Sequence, residues 1–105
     1  MGESYRVILT AEAVSNLEEI ATYIERTSPQ NAAEVAAAVV KAIDSLATMP
    51  ARFPVVGRTR RRSSTLHAMV VYPFVVYYRV DAAAGVVYVL YLRRGTRRSP
   101  RGFRR

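Results

Sequence analysis

Apolar residues recur at helical spacing in the first half of the chain and at strand spacing in the second half. A short stretch from Tyr5 to Leu9 alternates between two faces, as a β-strand does. The apolar positions that follow advance in steps of three and four residues, the repeat of one helical face: Val14, Leu17, Ile20 or Ala21, and Ile24. A second stripe has the same spacing: Ala32, Ala36, Val39, Ile43 and Leu46. The pattern predicts one strand followed by two helices.

Capping and breaking residues set the expected ends of these helices. Thr10 precedes the first stripe and is a candidate N-cap. Ser28 followed by Pro29 pairs an N-cap with proline at the first helical position, so the second helix is expected to begin at once. Pro50 ends it. The segment PARFPVVG, which is interrupted by proline, is expected to be a loop, and the two helices an antiparallel hairpin.

Three segments rich in valine and tyrosine predict the remaining strands: STLHAMVVY, PFVVYYRV and VVYVLYL. The last two are joined by DAAAG, which has the length of a hairpin loop and closes on Gly85. The order is β-α-α-β-β-β. We therefore expect an α+β fold in which a helical hairpin packs on one face of a mainly antiparallel four-stranded sheet.

The last two predicted strands are apolar on both faces, although a helical hairpin can cover one face of a sheet. Strict alternation places Arg79 and Arg93 on the uncovered face, because an unpaired guanidinium is disfavoured in a core. The uncovered face would then be a surface of valine and tyrosine with arginines at its rim, which is typical of a protein interface. The residues expected to bind a protein partner are Val75, Tyr77, Val87, Val89 and Tyr91.

The length and composition are those of one globular domain. The chain has 105 residues, 50% of them apolar, with no cysteine and one histidine, which argues against disulfides and against a metal site. We expect a domain over residues 1–98 and a basic, disordered tail over residues 99–105. The longest apolar run, AMVVYPFVVYY, is shorter than the roughly 20 residues of a membrane-spanning helix. No cofactor is expected, and a cytoplasmic location fits.

Charge is divided unevenly along the chain. Residues 1–50 contain three basic and seven acidic residues, a net charge of −4, whereas residues 51–105 contain thirteen arginines and one aspartate, a net charge of +12. A surface of one sign speeds association with a partner of the opposite sign, so an acidic protein or a nucleic acid is an expected target. The arginines expected to contact the target are Arg60, Arg61, Arg62, Arg79, Arg93, Arg94, Arg97 and Arg98.

Three segments, in their order and spacing, resemble the RelE/ParE superfamily of toxins from bacterial type II toxin–antitoxin modules. They are LTAEAVSNLEEIATYI, SLATMPARFPVVGR, and PFVVYYRVD with RRGTRR after the final strand. The resemblance covers residues 5–98. It implies a toxin of a plasmid-stabilisation module that is neutralised by a small antitoxin, whose C-terminal segment wraps the toxin. Such a partner would account for the uncovered apolar face.

The superfamily that the chain resembles contains two activities. RelE-like members cleave mRNA in the ribosomal A site with basic and tyrosine side chains on the open face of the sheet, and ParE-like members inhibit DNA gyrase. The resemblance places Val75, and a position near Val70, where the RNase members carry basic residues. We therefore expect a ParE-like gyrase inhibitor that is not an enzyme.

Two alternatives remain open at the level of sequence. If the chain cleaves mRNA on the ribosome, its candidate catalytic residues are Arg79, His67 and Arg93, since such chemistry needs an acid and a base within reach of the substrate. A lone histidine in a strand is more often structural than catalytic. A plain nucleic-acid-binding module would fit the basic balance, but the sequence has no recognisable reading helix, RNA-stacking motif or zinc finger.

Overall fold

Two helices lie on one face of a mixed sheet in the computed structural model, which describes residues 4–58 and 65–95. The strands are β1 (Arg6–Leu9), β2 (Val55–Arg58), β3 (Thr65–Val71), β4 (Phe74–Asp81) and β5 (Val86–Arg94), and the helices are α1 (Ala11–Thr27) and α2 (Ala32–Asp44). Short 3₁₀ turns occupy Pro29–Asn31, Ser45–Ala47 and Pro50–Arg52. The predicted α+β class is confirmed.

The described strands form a five-stranded sheet in the order β1-β5-β4-β3-β2. β1 runs parallel to β5, and the other neighbours are antiparallel. The prediction of four strands is wrong because the end of PARFPVVG is not a loop: Val55–Arg58 forms the edge strand β2. The prolines of this segment precede the strand, where a missing N–H costs no ladder hydrogen bond.

The two helices begin with different local structures. Thr10 caps α1 as predicted, and its side-chain oxygen accepts a hydrogen bond from the Ala13 N–H at 3.2 Å. The Ser28 side chain makes no capping hydrogen bond, and the 3₁₀ turn Pro29–Asn31 stands between Ser28 and the first residue of α2. A 3₁₀ turn therefore begins at the proline, and α2 itself begins three residues later than predicted.

The core lies between the helices and the covered face of the sheet. Its fully or nearly fully buried members are Ala13, Ile24, Val39, Ile43, Leu46, Met69, Phe74, Val76, Tyr78, Val87, Val89 and Leu92. In α1 the buried stripe begins at Ala13, whereas Val14 is 45% exposed. The spacing of the stripe was predicted correctly, but its first member is the small residue one position earlier.

β5 contains a β-bulge at Leu90. The residues on either side of it, Val89 and Tyr91, pair with two consecutive residues of β4, Tyr78 and Tyr77, which leaves Leu90 without a partner in the ladder. A bulge shifts the alternation of side chains by one position. Side chains that flank the bulge and lie three residues apart therefore share a face.

The bulge overturns part of the predicted partner-binding face. Val87 and Val89 were expected on the open face with Tyr91, but both are 0% exposed and belong to the core beneath the helices. That prediction is wrong because it carried strict alternation through Leu90. Tyr88, which strict alternation assigns to the core side, instead pairs with Arg79 on the uncovered side.

The N-cap of α1 and a side chain within the helix form hydrogen bonds with the backbone of β5 around the bulge. Thr10 Oγ1 lies 3.1 Å from the Val89 carbonyl oxygen and 2.9 Å from that of Leu90, and its hydroxyl donates to them. Asn16 Oδ1 accepts a hydrogen bond from the Leu92 N–H at 2.9 Å. Because β1 ends opposite Val89, these contacts replace a strand partner for the next residues of β5.

Candidate interaction face of the sheet

The face of the sheet away from the helices presents side chains from three neighbouring strands, and we call it the open face. The strand registers place on it Leu66, Ala68 and Val70 of β3, Val75, Tyr77 and Arg79 of β4, and Tyr88, Tyr91 and Arg93 of β5. Of the residues predicted to bind a partner, Val75, Tyr77 and Tyr91 lie here, together with the two predicted arginines of the last strands.

Both arginines of the open face lie over tyrosine rings. Arg79 Cζ is 4.2 Å from the ring centroid of Tyr88. Arg93 Cζ is 5.0 Å from the centroid of Tyr91 and 5.8 Å from that of Tyr77. These distances are those of cation–π contacts, which hold the guanidinium groups against the sheet and orient their planes.

The tyrosines beneath these arginines are packed together. The rings of Tyr77 and Tyr91 are 4.8 Å apart between centroids, and Tyr77 is 8% exposed. Burial raises the pKa of the Tyr77 phenol above its ordinary value, against the lowering effect of the Arg93 charge. Tyr77 is therefore neutral at physiological pH and is a hydrogen-bonding group rather than a base.

One end of the open face is apolar. Val70 pairs with Val75 across β3 and β4, and Val70 is 68% exposed. Leu66 and Ala68 continue this apolar strip along β3. Gly95 follows β5 beside it, and a Cβ atom at this position would lie 2.6 Å from Val75 Cγ2, so the close approach requires glycine. The open face thus combines exposed valine with oriented arginines.

His67, a candidate catalytic residue, lies on the opposite face of the sheet. It is 5% exposed, and its ring stacks on that of Tyr78 at 5.1 Å between centroids. Its Nδ1 donates to the Phe53 carbonyl oxygen at 2.9 Å, and its Nε2 lies within hydrogen-bond distance of Thr65 Oγ1, at 3.1 Å. Both ring nitrogens are engaged, and the sheet separates His67 from Arg79 and Arg93. The structure therefore does not bring the three together.

Tyr78 is a fully buried core residue on the covered face of the sheet, next to His67. Its side chain is 0% exposed and its hydroxyl donates to the Pro50 carbonyl oxygen. Burial raises the pKa of Tyr78 to about 12. The neutral phenol is thus favoured in the folded state, and the stability it contributes is complete below the pKa of an unfolded tyrosine, about 10.

The free energy of unfolding should fall as pH rises from about 10 to about 12, because the unfolded chain ionises Tyr78 before the folded chain does. Urea unfolding at a series of pH values measures this fall. The Tyr78→Phe variant should be less stable at pH 8, since Pro50 loses its buried donor, but should lose less further stability by pH 12. An identical pH dependence in the two proteins would show that Tyr78 does not ionise as described.

Arg94 lies on the helical side of the sheet and not with Arg93. Its Cζ is 4.7 Å from the ring centroid of Tyr23 in α1. The strand was expected to end at Leu92, but β5 continues through Arg94, which pairs with Phe74. Arg93 and Arg94 were both expected to contact the target, but they do not share a face of the sheet, because successive strand residues point to opposite faces.

A shallow groove of about 410 Å³ lies beside this contact. α1 contributes Asn16, Glu19 and Tyr23 to it, and the sheet contributes Phe74 and Arg94. Because Arg94 is stacked on α1, its position ties the end of β5 to the helix.

Five predicted target-binding arginines lie outside the described residues: Arg60, Arg61, Arg62, Arg97 and Arg98. The proposed boundary at residue 98 and the tail over residues 99–105 lie outside them as well. Arg58, which precedes the first of these clusters, is exposed on the edge strand β2.

Sequence reasoning missed Tyr88 on the open face, and it missed the contacts of Thr10 and Asn16 with the backbone of β5. Thr10 was identified as a helix cap, but its second role at the bulge depends on a contact 80 residues away in sequence. Over residues 4–58 and 65–95, no group of His, Cys, Asp and Glu side chains could hold a metal ion. No described helix is long and apolar enough to cross a membrane.

Comparisons of the sequence with known proteins identify a family. Residues 7–98 match the family model of the ParE toxin of type II toxin-antitoxin system, parDE. Y4kP, a proposed toxin of Sinorhizobium fredii, is 33% identical over 87 residues, which are 82% of this chain and 86% of that protein.

Solved structures share the fold. The chromosomal ParDE system of P. aeruginosa matches with a TM-score of 0.65 and 17% identity, over 87% of this chain and 96% of that one. The RelE–RelB complex of Pyrococcus horikoshii matches with a TM-score of 0.63 and 19% identity, over 90% and 99% of the two chains.

Two helices on one face of a mixed five-stranded sheet give the chain a RelE/ParE-like fold, which it shares with these structures. The sequence match is more specific than the fold. This chain belongs to the ParE toxin family and is a toxin of a type II toxin–antitoxin system.

Proposed function

We propose that this toxin inhibits DNA gyrase in the cytoplasm, without catalysing a reaction, and that a cognate antitoxin neutralises it. One observation carries the choice of target. Val70 and Val75, which stand where the resemblance to the RNase members implies basic residues, pair directly with each other on the open face. An apolar pair at this place offers neither a cation for a scissile phosphate nor a group that transfers a proton.

The acid–base groups of the second half support the same choice. His67 is buried on the other face with both ring nitrogens engaged. Asp81 Oδ1 accepts a hydrogen bond from the Ala84 N–H at 3.1 Å, so its carboxylate serves the β4–β5 turn. Asp81 lies two residues beyond Arg79 on β4, at the turn end of the open face, and is therefore distant along the strand from the residue that pairs with Arg93.

A protein partner is supported by the open face itself and by the relatives. An exposed apolar strip beside oriented arginines suits a partner that supplies apolar and acidic side chains. The structural neighbours are described as a ParDE system and a RelE–RelB complex, that is, as toxins together with antitoxins.

The experiment is a supercoiling assay with purified gyrase, relaxed plasmid and ATP. The toxin should inhibit supercoiling or trap cleaved DNA, and addition of the antitoxin should restore activity. Arrest of growth on expression, together with unchanged supercoiling at a molar excess of toxin, would rule out gyrase as the target.

The RNase alternative is favoured by one feature, the pair of arginines over tyrosine rings, which could hold a phosphate. The fold does not separate the two activities, because ParDE and RelE–RelB structures match the chain almost equally. The basic net charge favours a plain nucleic-acid-binding module, but no feature of the described residues does.

His67→Ala distinguishes a structural histidine from a catalytic one. We expect the free energy of unfolding to fall by about 2–4 kcal/mol, because a buried ring is lost and the Phe53 carbonyl loses its donor. Growth inhibition per folded molecule should not change. Urea unfolding and a titrated expression assay measure the two quantities. A variant as stable as wild type and devoid of toxicity would instead identify His67 as catalytic.

A further inference from the structure

The two arginine–tyrosine contacts form adjacent rows on the open face. Arg79 and Tyr88 are directly paired in the ladder, and Tyr77 and Tyr91 form the pair two residues earlier in β4. A strand rises about 3.3 Å per residue, so the two rows are about 7 Å apart. Arg93 pairs with Val75 in the following row of this face, and its side chain reaches back over the ring of Tyr91.

The bulge at Leu90 makes this arrangement possible. Tyr88 and Tyr91 are three residues apart, and in a regular strand they would point to opposite faces. The extra residue returns Tyr91 to the face of Tyr88, opposite Tyr77. Thr10 and the carbonyl groups of Val89 and Leu90 stabilise this geometry. Two oriented guanidinium groups are therefore presented on one surface at a set spacing.

A guanidinium that stacks on a ring keeps its N–H groups at its edge, where they can bind a carboxylate with two parallel hydrogen bonds. We propose that the open face is a two-point receptor for an acidic segment of the antitoxin, with one carboxylate bound by Arg79 and a second by Arg93. This inference rests on the proposed function for the existence of the antitoxin and adds to it the chemistry of recognition. Antitoxin binding then neutralises the toxin by occupying the arginines that face its target.

The spacing of the rows restricts the partner. Two acidic side chains about 7 Å apart on one face occur at positions i and i+2 of a strand, or at i and i+4 of a helix, where neighbours are about 6 Å apart. An apolar side chain beside them would rest on the strip of Val70 and Val75, which is continuous with the arginine rows.

A protein segment fits this face better than a nucleic acid does. Single-stranded nucleic acids bind by stacking bases on exposed aromatic faces. Here Arg79 already lies over the ring of Tyr88, and Arg93 over the ring of Tyr91. Exposed Val70 likewise offers nothing to a phosphate, whereas it can bury an apolar side chain.

The test is a charge-swap experiment with the protein encoded by the reading frame that adjoins this gene, used as the antitoxin. Each acidic residue of that protein is replaced with arginine, and its affinity is measured against wild-type toxin, Arg79→Glu and Arg93→Glu. Arg58→Glu, an exposed arginine on β2, is the control for the change of net charge. Circular dichroism of each toxin variant verifies folding.

We expect Arg79→Glu and Arg93→Glu each to weaken binding at least about tenfold more than Arg58→Glu, since each leaves a carboxylate facing a like charge. Replacement of one acidic residue of the antitoxin with arginine should restore its affinity for Arg79→Glu, and replacement of a different acidic residue should restore its affinity for Arg93→Glu. The two positions should be separated by two residues in a strand or by four in a helix.

Three results would overturn the inference. One is a loss no larger than that of the control, and another is restoration of both variants by the same antitoxin position. The third is that the two arginines bind a 20-nucleotide DNA or RNA and do not bind the acidic residues of the antitoxin. Failure of the adjoining protein to bind wild-type toxin would contradict the proposed antitoxin as well, whereas failure of the gyrase assay alone would leave the receptor intact.

Discussion

The Val89→Asp variant should be largely unfolded at neutral pH, whereas Tyr91→Asp should fold. Val89 is 0% exposed in the core beneath the helices. An unpaired carboxylate there costs several kcal/mol, a large share of the roughly 5–15 kcal/mol that stabilises a domain. Tyr91 lies on the open face, where water can solvate a carboxylate next to Arg93.

Circular dichroism and urea unfolding of the two purified variants measure this difference. The pair is a matched control, because the same charge is introduced two residues apart in one strand. Strict alternation would place both positions on one face, so similar stabilities would contradict the bulge at Leu90. Binding of the antitoxin by Tyr91→Asp should be weak even though the protein is folded.

The toxin with Arg79→Glu and Arg93→Glu together should lose at least about 100-fold in the potency of gyrase inhibition. The two guanidinium groups are the described cations at the centre of the open face, and each reversal replaces an attraction for an acidic target by a repulsion. A factor of 100 corresponds to about 2.7 kcal/mol, less than two such charge pairs commonly contribute.

The control for this double variant is Arg26→Glu with Arg58→Glu, which changes the net charge equally at exposed positions of α1 and β2. It should retain potency within about threefold. Equal losses of potency in the two double variants would mean that target binding depends on net charge and not on these positions. Full potency of the variant with Arg79→Glu and Arg93→Glu would show that the open face does not bind the target. Urea unfolding should find both variants folded.

The helices and most of the sheet follow from local patterns. Steps of three and four residues identify α1 and α2, and valine-rich segments identify β3, β4 and β5. β2 was missed because its four residues follow a proline and are too few to show an alternation. What makes them a strand is pairing with β3, including the hydrogen bond from the Ala68 N–H to the Pro54 carbonyl at 3.0 Å.

The candidate face was predictable up to the bulge. Val75, Tyr77 and Arg79 lie on β4, which is regular over this stretch, and alternation assigns them correctly. In β5 the sequence VVYVLYL contains no residue that marks a bulge, so Val87 and Val89 were assigned to the wrong face. The bulge depends on a long-range contact with Thr10, which is visible only in the folded chain.

The direct test of the central claim is to measure plasmid topology and mRNA ends in the same culture after expression of the toxin. Wild-type toxin should cause loss of negative supercoiling or accumulation of cleaved DNA, with mRNA 5′ ends unchanged at early times. The variant with Arg79→Glu and Arg93→Glu should leave both unchanged. New mRNA ends in register with codons, with plasmid topology unaltered, would contradict the account and identify the toxin as a ribosome-dependent RNase.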